Sequence, residues 1–373
     1  MEDNIFIRKI ELNNFLHHGN IEINISENER KHLIITGING SGKTSLLKII
    51  NQYLINYNFN EFLNATGKPY LTIKISYNVS SNDLSKLGKK FFSNKFIYKE
   101  IFDYRKFEPE KSKSIEPVNF ETIADLQREF SKDFIKYLFF QDYRLTRSTD
   151  DEKLKIINWF DKIKNILRKI YKDEKLELEP NIEINDFDFY IKLSNGNRFN
   201  FNQLAAGYSS ILNIVIELLL RTEICEQKHL TQGIVLIDEP EAHLHIELQK
   251  EIMPFLTEMF PNIQFIIATH SPFVLSSLDN AVVYDLEKNI RIEDASGFAY
   301  DGLVDTYFDS DKYSESIKEK LSDYKNLVEK KKLTENEEEK LYDLEEYLEE
   351  IPDHVAIELK TKFQEYKIKH LRK

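Results

Sequence analysis

The residues best equipped for chemistry form one stretch, Gly37-Ile38-Asn39-Gly40-Ser41-Gly42-Lys43-Thr44, followed by Ser45. Three of the chain's 11 glycines fall within its first six residues. There a turn without Cβ atoms can press backbone N–H groups against a polyphosphate. The apolar run Leu33-Ile34-Ile35-Thr36 precedes it and Leu46-Leu47-Lys48-Ile49-Ile50 follows, the order strand, loop, helix that such a turn requires. The helix beginning near Lys43 adds unpaired N–H groups and the positive end of its dipole. Lys43 is placed to reach β- and γ-phosphates and the Thr44 hydroxyl to hold Mg²⁺, with Asn39, Gly40, Ser41, Gly42 and Ser45 as further nucleotide contacts. A glycine turn with a coincidental Lys-Thr is the bland alternative, and the flanking strand and helix weigh against it. The stretch implies a nucleoside triphosphate, ATP with Mg²⁺.

A second set of residues could act on that triphosphate. Gly233-Ile234-Val235-Leu236-Ile237 suits a parallel strand buried on both faces, and it ends in Asp238-Glu239. Adjacent carboxylates at a buried strand end are costly unless something uses them. Asp238 can support the metal, and Glu239 can polarise a water as general base. The run Gln264 to Thr269 delivers His270 from a similar strand end, within reach of a γ-phosphate, although a lone histidine is usually structural. Ile135 to Phe140 reads as a strand ending in Gln141, a candidate for metal and nucleotide contact or an ordinary strand-end glutamine. Phe201 to Ser210 is a small-residue loop before an apolar helix over Ile211 to Arg221, whose N-terminus can face a second anion.

These sites need a frame, and most of it is legible. Ile5 to Leu12 and Ile21 to Ile25 alternate as strands around a bend containing Phe15, His17 and His18. An aromatic there could stack on the adenine, or the bend could be ordinary packing. Thr44 to Tyr57 has helical spacing and Tyr70 to Tyr77 strand spacing. The expected fold is α/β. From about Ser80 to Glu179, Lys86, Lys89, Lys90, Lys95, Lys99, Arg105 and Lys106 are threaded by Phe91, Phe92, Phe96, Tyr98, Phe102 and Tyr104. That pattern fits either a strand pair with a solvated outer face or a nucleic-acid contact. Leu154 to Tyr171 reads as an amphipathic helix, and without a long heptad array there is no coiled-coil arm. The expected division is 1–80, an inserted lobe over 81–200, a return to the core over 201–300, and a helical appendage over 301–373. In the appendage Thr334-Glu335-Asn336-Glu337 is a capping box and Pro352 opens a third helix.

Composition sets outer bounds. Hydrophobic residues at 41% and aromatics at 12% exclude general disorder. The formal charge of -12 argues against a chain that coats nucleic acid, while leaving local basic faces open. Cys225 alone forms no internal disulfide and sits in an apolar helical run. An acidic start and the lack of a long apolar run predict a cytoplasmic protein.

The motifs in this order resemble an ABC-type P-loop ATPase head: Gly37 to Thr44 as Walker A, Leu204 to Ser209 as signature, Ile234 to Glu239 as Walker B, and Ala268-Thr269-His270-Ser271-Pro272 as the switch loop. Asp238-Glu239-Pro240-Glu241-Ala242-His243-Leu244-His245 and the early Asn13-Asn14-Phe15 resemble the RecF/SMC/OLD-like branch. Within it, they are similar to AAA family ATPases of bacterial anti-phage systems of the Septu and retron-effector type. The resemblance covers roughly residues 5 to 300. It implies a homo-oligomeric, head-to-tail ATP sandwich in which Leu204, Ala205, Gly207 and Ser209 of one copy close on the triphosphate at Lys43 of another. It further implies Gln141 as a Q-loop residue, Glu239 as base, and His270 as γ-phosphate sensor. Ala205 departs from the family's serine and Tyr208-Ser209 from its Gly-Gln ending, removing a hydroxyl contact with the γ-phosphate and pointing to slow turnover. His243 and His245 are two potential metal ligands, too few for a site, in a segment the family uses for dimer contact.

Three function classes fit: an ATPase controlling a separately encoded nuclease or other effector in anti-phage defence, a RecF-like ATP-gated DNA clamp, and a transporter's nucleotide-binding subunit. The last is disfavoured by the segment from Glu241 to His245 and the Asn-Asn-Phe opening. Asp309-Ser310-Asp311 could belong to a metal-dependent nuclease, but too little chain follows to build one, and none is expected.

Overall fold

The apolar runs before the phosphate loop and before Asp238 can satisfy their backbone N–H and C=O groups only against neighbouring strands. In a computed structural model of the chain they do so side by side. The structure describes residues 5–55, 61–63, 69–78, 96–102, 105–117, 129–183, 186–224, 231–293, 315–330, 334–350 and 363–367. The chain divides into two units, Met1–Leu303 and Val304–Lys373.

The first unit is α/β, as expected. Its strands are β1 (Ile7–Phe15), β2 (Gly19–Asn24), β3 (His32–Thr36), β4 (Glu61–Leu63), β5 (Pro69–Tyr77), β6 (Phe96–Ile101), β7 (Glu177–Glu183), β8 (Asp186–Lys192), β9 (Arg198–Asn200), β10 (Gln232–Asp238), β11 (Ile263–Ala268), β12 (Ala281–Asp285) and β13 (Ile290–Glu293). The main sheet runs β13-β12-β3-β11-β10-β6. Only β13 is antiparallel to its neighbour; the other five strands are mutually parallel. Parallel strands place their carboxyl ends on one edge, where open α/β sheets bind ligands. An antiparallel sheet, β2-β1-β5-β4, is the N-terminal hairpin extended by later strands. A third sheet, β7-β8-β9, completes the set.

The helices of this unit are α1 (Lys43–Ile55), α2 (Phe134–Leu145), α3 (Asp150–Tyr171), α4 (Ala206–Ile224), α5 (Ile246–Met259) and the short α6 (Pro272–Leu275). One apolar core joins the inner face of β1, β2 and β5 to α1 and the main sheet. Two glutamines, Gln264 fully buried and Gln232 partly so, tie the leading segment to that sheet. Gln264 accepts from Ile7 N at 2.8 Å and donates to Ile7 O at 3.0 Å and Lys31 O at 2.8 Å. Gln232 accepts from Ile5 N at 2.9 Å.

Two expectations change. Ile135 to Phe140 is not a strand but part of α2, with Phe134, Ile135, Tyr137, Leu138, Phe139 and Gln141 buried. A short unbroken apolar run suits a buried helix as well as a buried strand, and only the surroundings separate them. The second change concerns β6. It lies within the stretch read as an inserted lobe, yet it pairs with β10 and forms an edge of the main sheet.

In the second unit α7 (Glu315–Glu329) and α8 (Glu335–Glu350) bury Tyr324, Leu327, Val328, Leu341, Leu344 and Leu348 with Phe363. The Thr334 backbone N–H donates to Glu337 Oε2 at 3.0 Å, as the capping-box reading requires. Cys225, the Asp309-Ser310-Asp311 motif and Pro352 lie outside the described residues. Among the described residues, no helix is long and apolar enough to cross a membrane.

His32, at the start of β3, accepts a hydrogen bond at Nδ1 from Phe265 N at 3.0 Å. Burial, with the Arg30 charge nearby, brings its pKa down to about 4. The unfolded chain, near 6.5, therefore binds the proton more readily, so this stability is present above pH 6.5 and is lost as pH falls towards 4. Urea unfolding should show wild type losing about 2 kcal/mol more than His32→Gln between pH 7.5 and pH 5. Equal losses would show that His32 titrates normally in the folded protein.

Candidate nucleotide site

The phosphate loop occupies the turn from β3 into α1, and its backbone explains its glycines. Gly37, Gly40 and Gly42 have φ of 140°, 82° and 99°. A Cβ on Gly42 would lie 2.6 Å from Leu16 Cδ1, and one on Gly37 2.9 Å from Ser41 Oγ. Side chains there would meet both backbone strain and neighbouring atoms. Lys43 Nζ donates to the carbonyls of Gly37 and Ile38, each at 2.9 Å. Burial brings its pKa down to about 8, opposed by Glu239, Asp238, Asp285 and Glu241.

Those carboxylates place the other motifs at the same edge. Asp238 ends β10 and is 6% exposed. In the sheet register it stands opposite Ala268, which stands opposite Ile35, so the residues after β10, β11 and β3 emerge in one row. Glu239 adopts a left-handed conformation, φ 47°, rare for a residue with a side chain. Its N–H donates to Ala268 O at 2.8 Å, and its carbonyl accepts from Ala242 N at 2.9 Å and from Arg105 Nη2 at 2.6 Å. The side chain then sits with Oε1 4.0 Å from His270 Nε2. Burial, with Lys43 nearby, lowers the His270 pKa, so the ring is mainly neutral at pH 7. The structure thus brings together Lys43, Asp238, Glu239 and His270.

Three residues not assigned a role from sequence build this edge. Arg105, one of the basic cluster, is buried and donates to Asp238 O at 2.9 Å, Phe102 O at 2.7 Å and Ser210 Oγ at 3.0 Å, besides Glu239 O. It connects the β10 end to α4. Glu241 is buried, which pushes its carboxyl up, while its Oε1 accepts from Thr269 Oγ1, from His270 N at 3.0 Å and from Ser271 N at 3.2 Å. That carboxylate shapes the turn carrying His270. Asp285, ending β12, is 1% exposed. A local signal existed only for Glu241, two residues beyond Glu239; Arg105 finds Ser210, Asp238 and Glu239 far away in sequence.

Other candidates are placed differently. Gln141 lies on α2, where its Oε1 accepts from Arg144 Nη1 at 3.4 Å and its side chain lines a cavity of about 290 Å³ with Glu152, Trp159 and Glu223. The expected strand end there does not exist, so Gln141 is not delivered to the sheet edge with Asp238. In the loop before α4, Ala205 is exposed and Leu204 half-buried, but Ser209 is turned inward, accepting from Phe107 N at 2.8 Å. Helical spacing puts Ser209 on the inner face, four residues from Ala205, whose carbonyl its N–H reaches at 2.9 Å. Tyr208 packs on Tyr171, ring centroids 4.5 Å apart. Gly207 fits against His243, whose carbonyl a Cβ would approach to 2.9 Å.

The basic and aromatic cluster also changes character. Lys99, partly buried, turns inward to an ion pair with buried Glu217, Nζ to Oε1 3.2 Å, and buried Arg221 meets the same oxygen at 2.9 Å. With Arg105 and Tyr98 buried too, these members serve the interior rather than a nucleic-acid surface. Lys86, Lys89, Lys90, Phe91, Phe92, Lys95 and Tyr104 lie outside the described residues. At the N-terminal bend Phe15 is fully buried beside Gly42, which removes it as an adenine platform.

The residues fit a nucleotide with its metal. Among the described residues, buried Thr36 Oγ1, Glu241 Oε2 and Asp285 Oδ2 have no hydrogen-bond partner, as suits an edge whose network a hydrated cation and phosphate complete. Thr44, exposed at the start of α1, and Asp238 could supply oxygen donors for Mg²⁺.

Comparison with known proteins agrees with this chemistry. Residues 71–275 match the family model described as an AAA ATPase domain. The Septu protein PtuA of Bacillus mycoides is 26% identical over 335 residues, covering 81% of this chain and 44% of that protein. The retron Ec83 probable ATPase of Escherichia coli is 31% identical over 152 residues, 37% of this chain and 27% of that protein. The chain thus spans less than half the length of these curated relatives. A solved SMC head bound to the C-winged helix domain of ScpA aligns over 77% of this chain and 96% of its own, with 13% identity and a TM-score of 0.44. The family match extends over more than half of the chain and contains both the Asp238-Glu239 and His270 motifs, and the chain belongs to the AAA ATPase domain family.

Proposed function

We propose that the chain binds and slowly hydrolyses ATP, and that copies of it assemble head to tail around ATP to control a separately encoded nuclease or other effector in anti-phage defence. The observation that carries the reading is the convergence of Lys43, Asp238, Glu239 and His270 on one sheet edge. Similarity to the Septu protein and the retron probable ATPase supports the defence setting. The exposed apolar side chains of Leu16 and Ile38, 56% and 45% accessible beside the phosphate loop, support a contact there with another copy. The helical unit from Val304 onward is a second surface for oligomer or effector contact.

The residues divide the work as follows. Lys43 exchanges two neutral carbonyl acceptors for phosphate oxygens, a charge-assisted and stronger interaction. Thr44 and Asp238 would hold Mg²⁺, which would supply charge neutralisation to the triphosphate. Glu239 takes a proton from the attacking water. His270, mainly neutral, has one N–H to donate and can report whether a γ-phosphate is there to accept it. Ala205 brings no hydroxyl to a neighbouring copy's γ-phosphate. A charge-assisted hydrogen bond of that kind contributes roughly 1.5–3 kcal/mol, so its absence is consistent with slow turnover.

Glu239→Gln should hydrolyse ATP at least about a hundredfold more slowly, as loss of a general base requires. Light scattering with ATP and Mg²⁺ should show it gathering into a larger assembly. An unchanged mass in all nucleotide states would eliminate ATP-gated assembly.

Arg105 acts through Glu239, as a positioning residue. Arg105→Met should lower kcat at least about tenfold with little change in KM for ATP, because the ground-state phosphate contacts remain. Arg105→Lys should restore only part of the loss, since one ammonium cannot serve four acceptors spread over three segments. Equal effects on kcat and KM, or full rescue by lysine, would show that Arg105 holds the fold generally.

A further inference from the structure

Beside the phosphate loop lies a second set of side chains with ligating chemistry. His17 and His18 come from the turn between β1 and β2, and Glu287 from the turn between β12 and β13. One ligand atom of each lies within 4.8 Å of the other two. His17 Nε2 is 3.8 Å from Glu287 Oε2, and the two imidazole centroids are 3.8 Å apart. Donors bound at 2.0–2.2 Å around a tetrahedral ion stand about 3.3–3.6 Å from one another, so small side-chain rotations reach that geometry.

His18 has one ring nitrogen already engaged by the phosphate loop. Its Nε2 lies 2.7 Å from the Ser41 carbonyl. A ring nitrogen bonded to a carbonyl carries the proton, which leaves the lone pair on Nδ1. Donation of the second ring N–H to a backbone carbonyl is how proteins fix metal-binding histidines. Glu287 is held by its backbone, its N–H donating to Asp285 Oδ1 at 2.9 Å. The side chains of His17 and Glu287 are 59% and 38% exposed, free to turn and open to water as a further ligand. Two imidazoles with one carboxylate select a zinc-class ion over Mg²⁺, which prefers oxygen alone. Among the described residues, His243 and His245 gain no third ligand of this kind.

Both turns touch the phosphate loop. Leu16 and Phe15 crowd the Cβ position of Gly42, and Glu287 N lies 3.4 Å from that of Gly37. We propose that His17, His18 Nδ1 and the Glu287 carboxylate bind a zinc-class divalent ion, with water completing the shell, and that the ion fastens the two turns across the phosphate loop. The site is a regulatory strap, separate from the magnesium donors Thr44 and Asp238.

The test uses the full chain without a tag or nucleotide, so its outcome is independent of ATP turnover. Titration with Co²⁺ should produce the strong visible bands of a four-coordinate ion at one equivalent, and Zn²⁺ should abolish them. His17→Asn and Glu287→Gln, both at exposed positions and checked by circular dichroism, should each weaken binding at least about tenfold. His245→Asn should leave it unchanged. Zinc should slow amide exchange in peptides covering residues 15–19, 37–44 and 285–289 in wild type but not in His17→Asn. Absence of the four-coordinate bands, their persistence in both variants, or unchanged exchange on adding zinc would overturn the proposal.

Discussion

Backbone hydrogen bonding among buried parallel strands is the constraint on which the rest of this protein depends. Residues 33–35 of β3, 234–237 of β10 and 265–268 of β11 are almost wholly inaccessible to water. Their N–H and C=O groups find partners in one another and in the flanking strands β12 and β6, and leaving one unpaired in such an interior costs roughly 1–3 kcal/mol. The register is therefore fixed, with Ala268 between Ile35 and Asp238. Each strand stops being apolar as it reaches the edge, and its next residues are Thr36 and the phosphate loop, Glu239, or Thr269 and His270. Chemistry is assembled there because three separate strands end in one row.

The edge is held in shape by polar groups that do not themselves face the reaction. Arg105 binds the carbonyls of Asp238 and Glu239 and reaches α4 through Ser210. Glu241 gathers the backbone of the His270 turn. The left-handed Glu239 stores strain that these bonds and the Ala268 carbonyl offset. A side chain at the end of a strand normally follows the strand's own alternation. Here the turn redirects it towards His270, which is why the carboxylate and imidazole meet.

Charge placement follows the same economy. Lys43 is buried, yet Asp238, Glu239, Glu241 and Asp285 oppose its desolvation. Farther along β6, Lys99 and Arg221 share Glu217 in the interior. A chain with 31% charged residues therefore keeps a few cations inside, Lys43, Lys99 and Arg221 against carboxylates and Arg105 against backbone carbonyls. The N-terminal hairpin, tied through Gln232 and Gln264, carries the His17–His18 turn to the same edge and makes it a neighbour of the phosphate loop.

The sequence by itself determined the strand, loop and helix around Lys43, the buried strands ending at Asp238 and Ala268, the hairpin, the long helix through Trp159 and the capping box at Thr334. Each rests on spacing or turn chemistry within a few residues, which neighbours in space need not supply. It did not determine whether Ile135 to Phe140 is strand or helix, because an unbroken apolar run fits both and packing alone chooses. Nor could composition tell a solvated basic patch from Lys99 and Arg105 turned inward, since their partners Glu217, Asp238 and Ser210 lie about a hundred residues or more away. Ser209 looked like part of an exposed loop until α4 began at Ala206 and helical periodicity turned it inside. Tertiary structure decided these points because burial and long-range hydrogen bonding are properties of a side chain's surroundings, and the surroundings exist only once the sheet has formed.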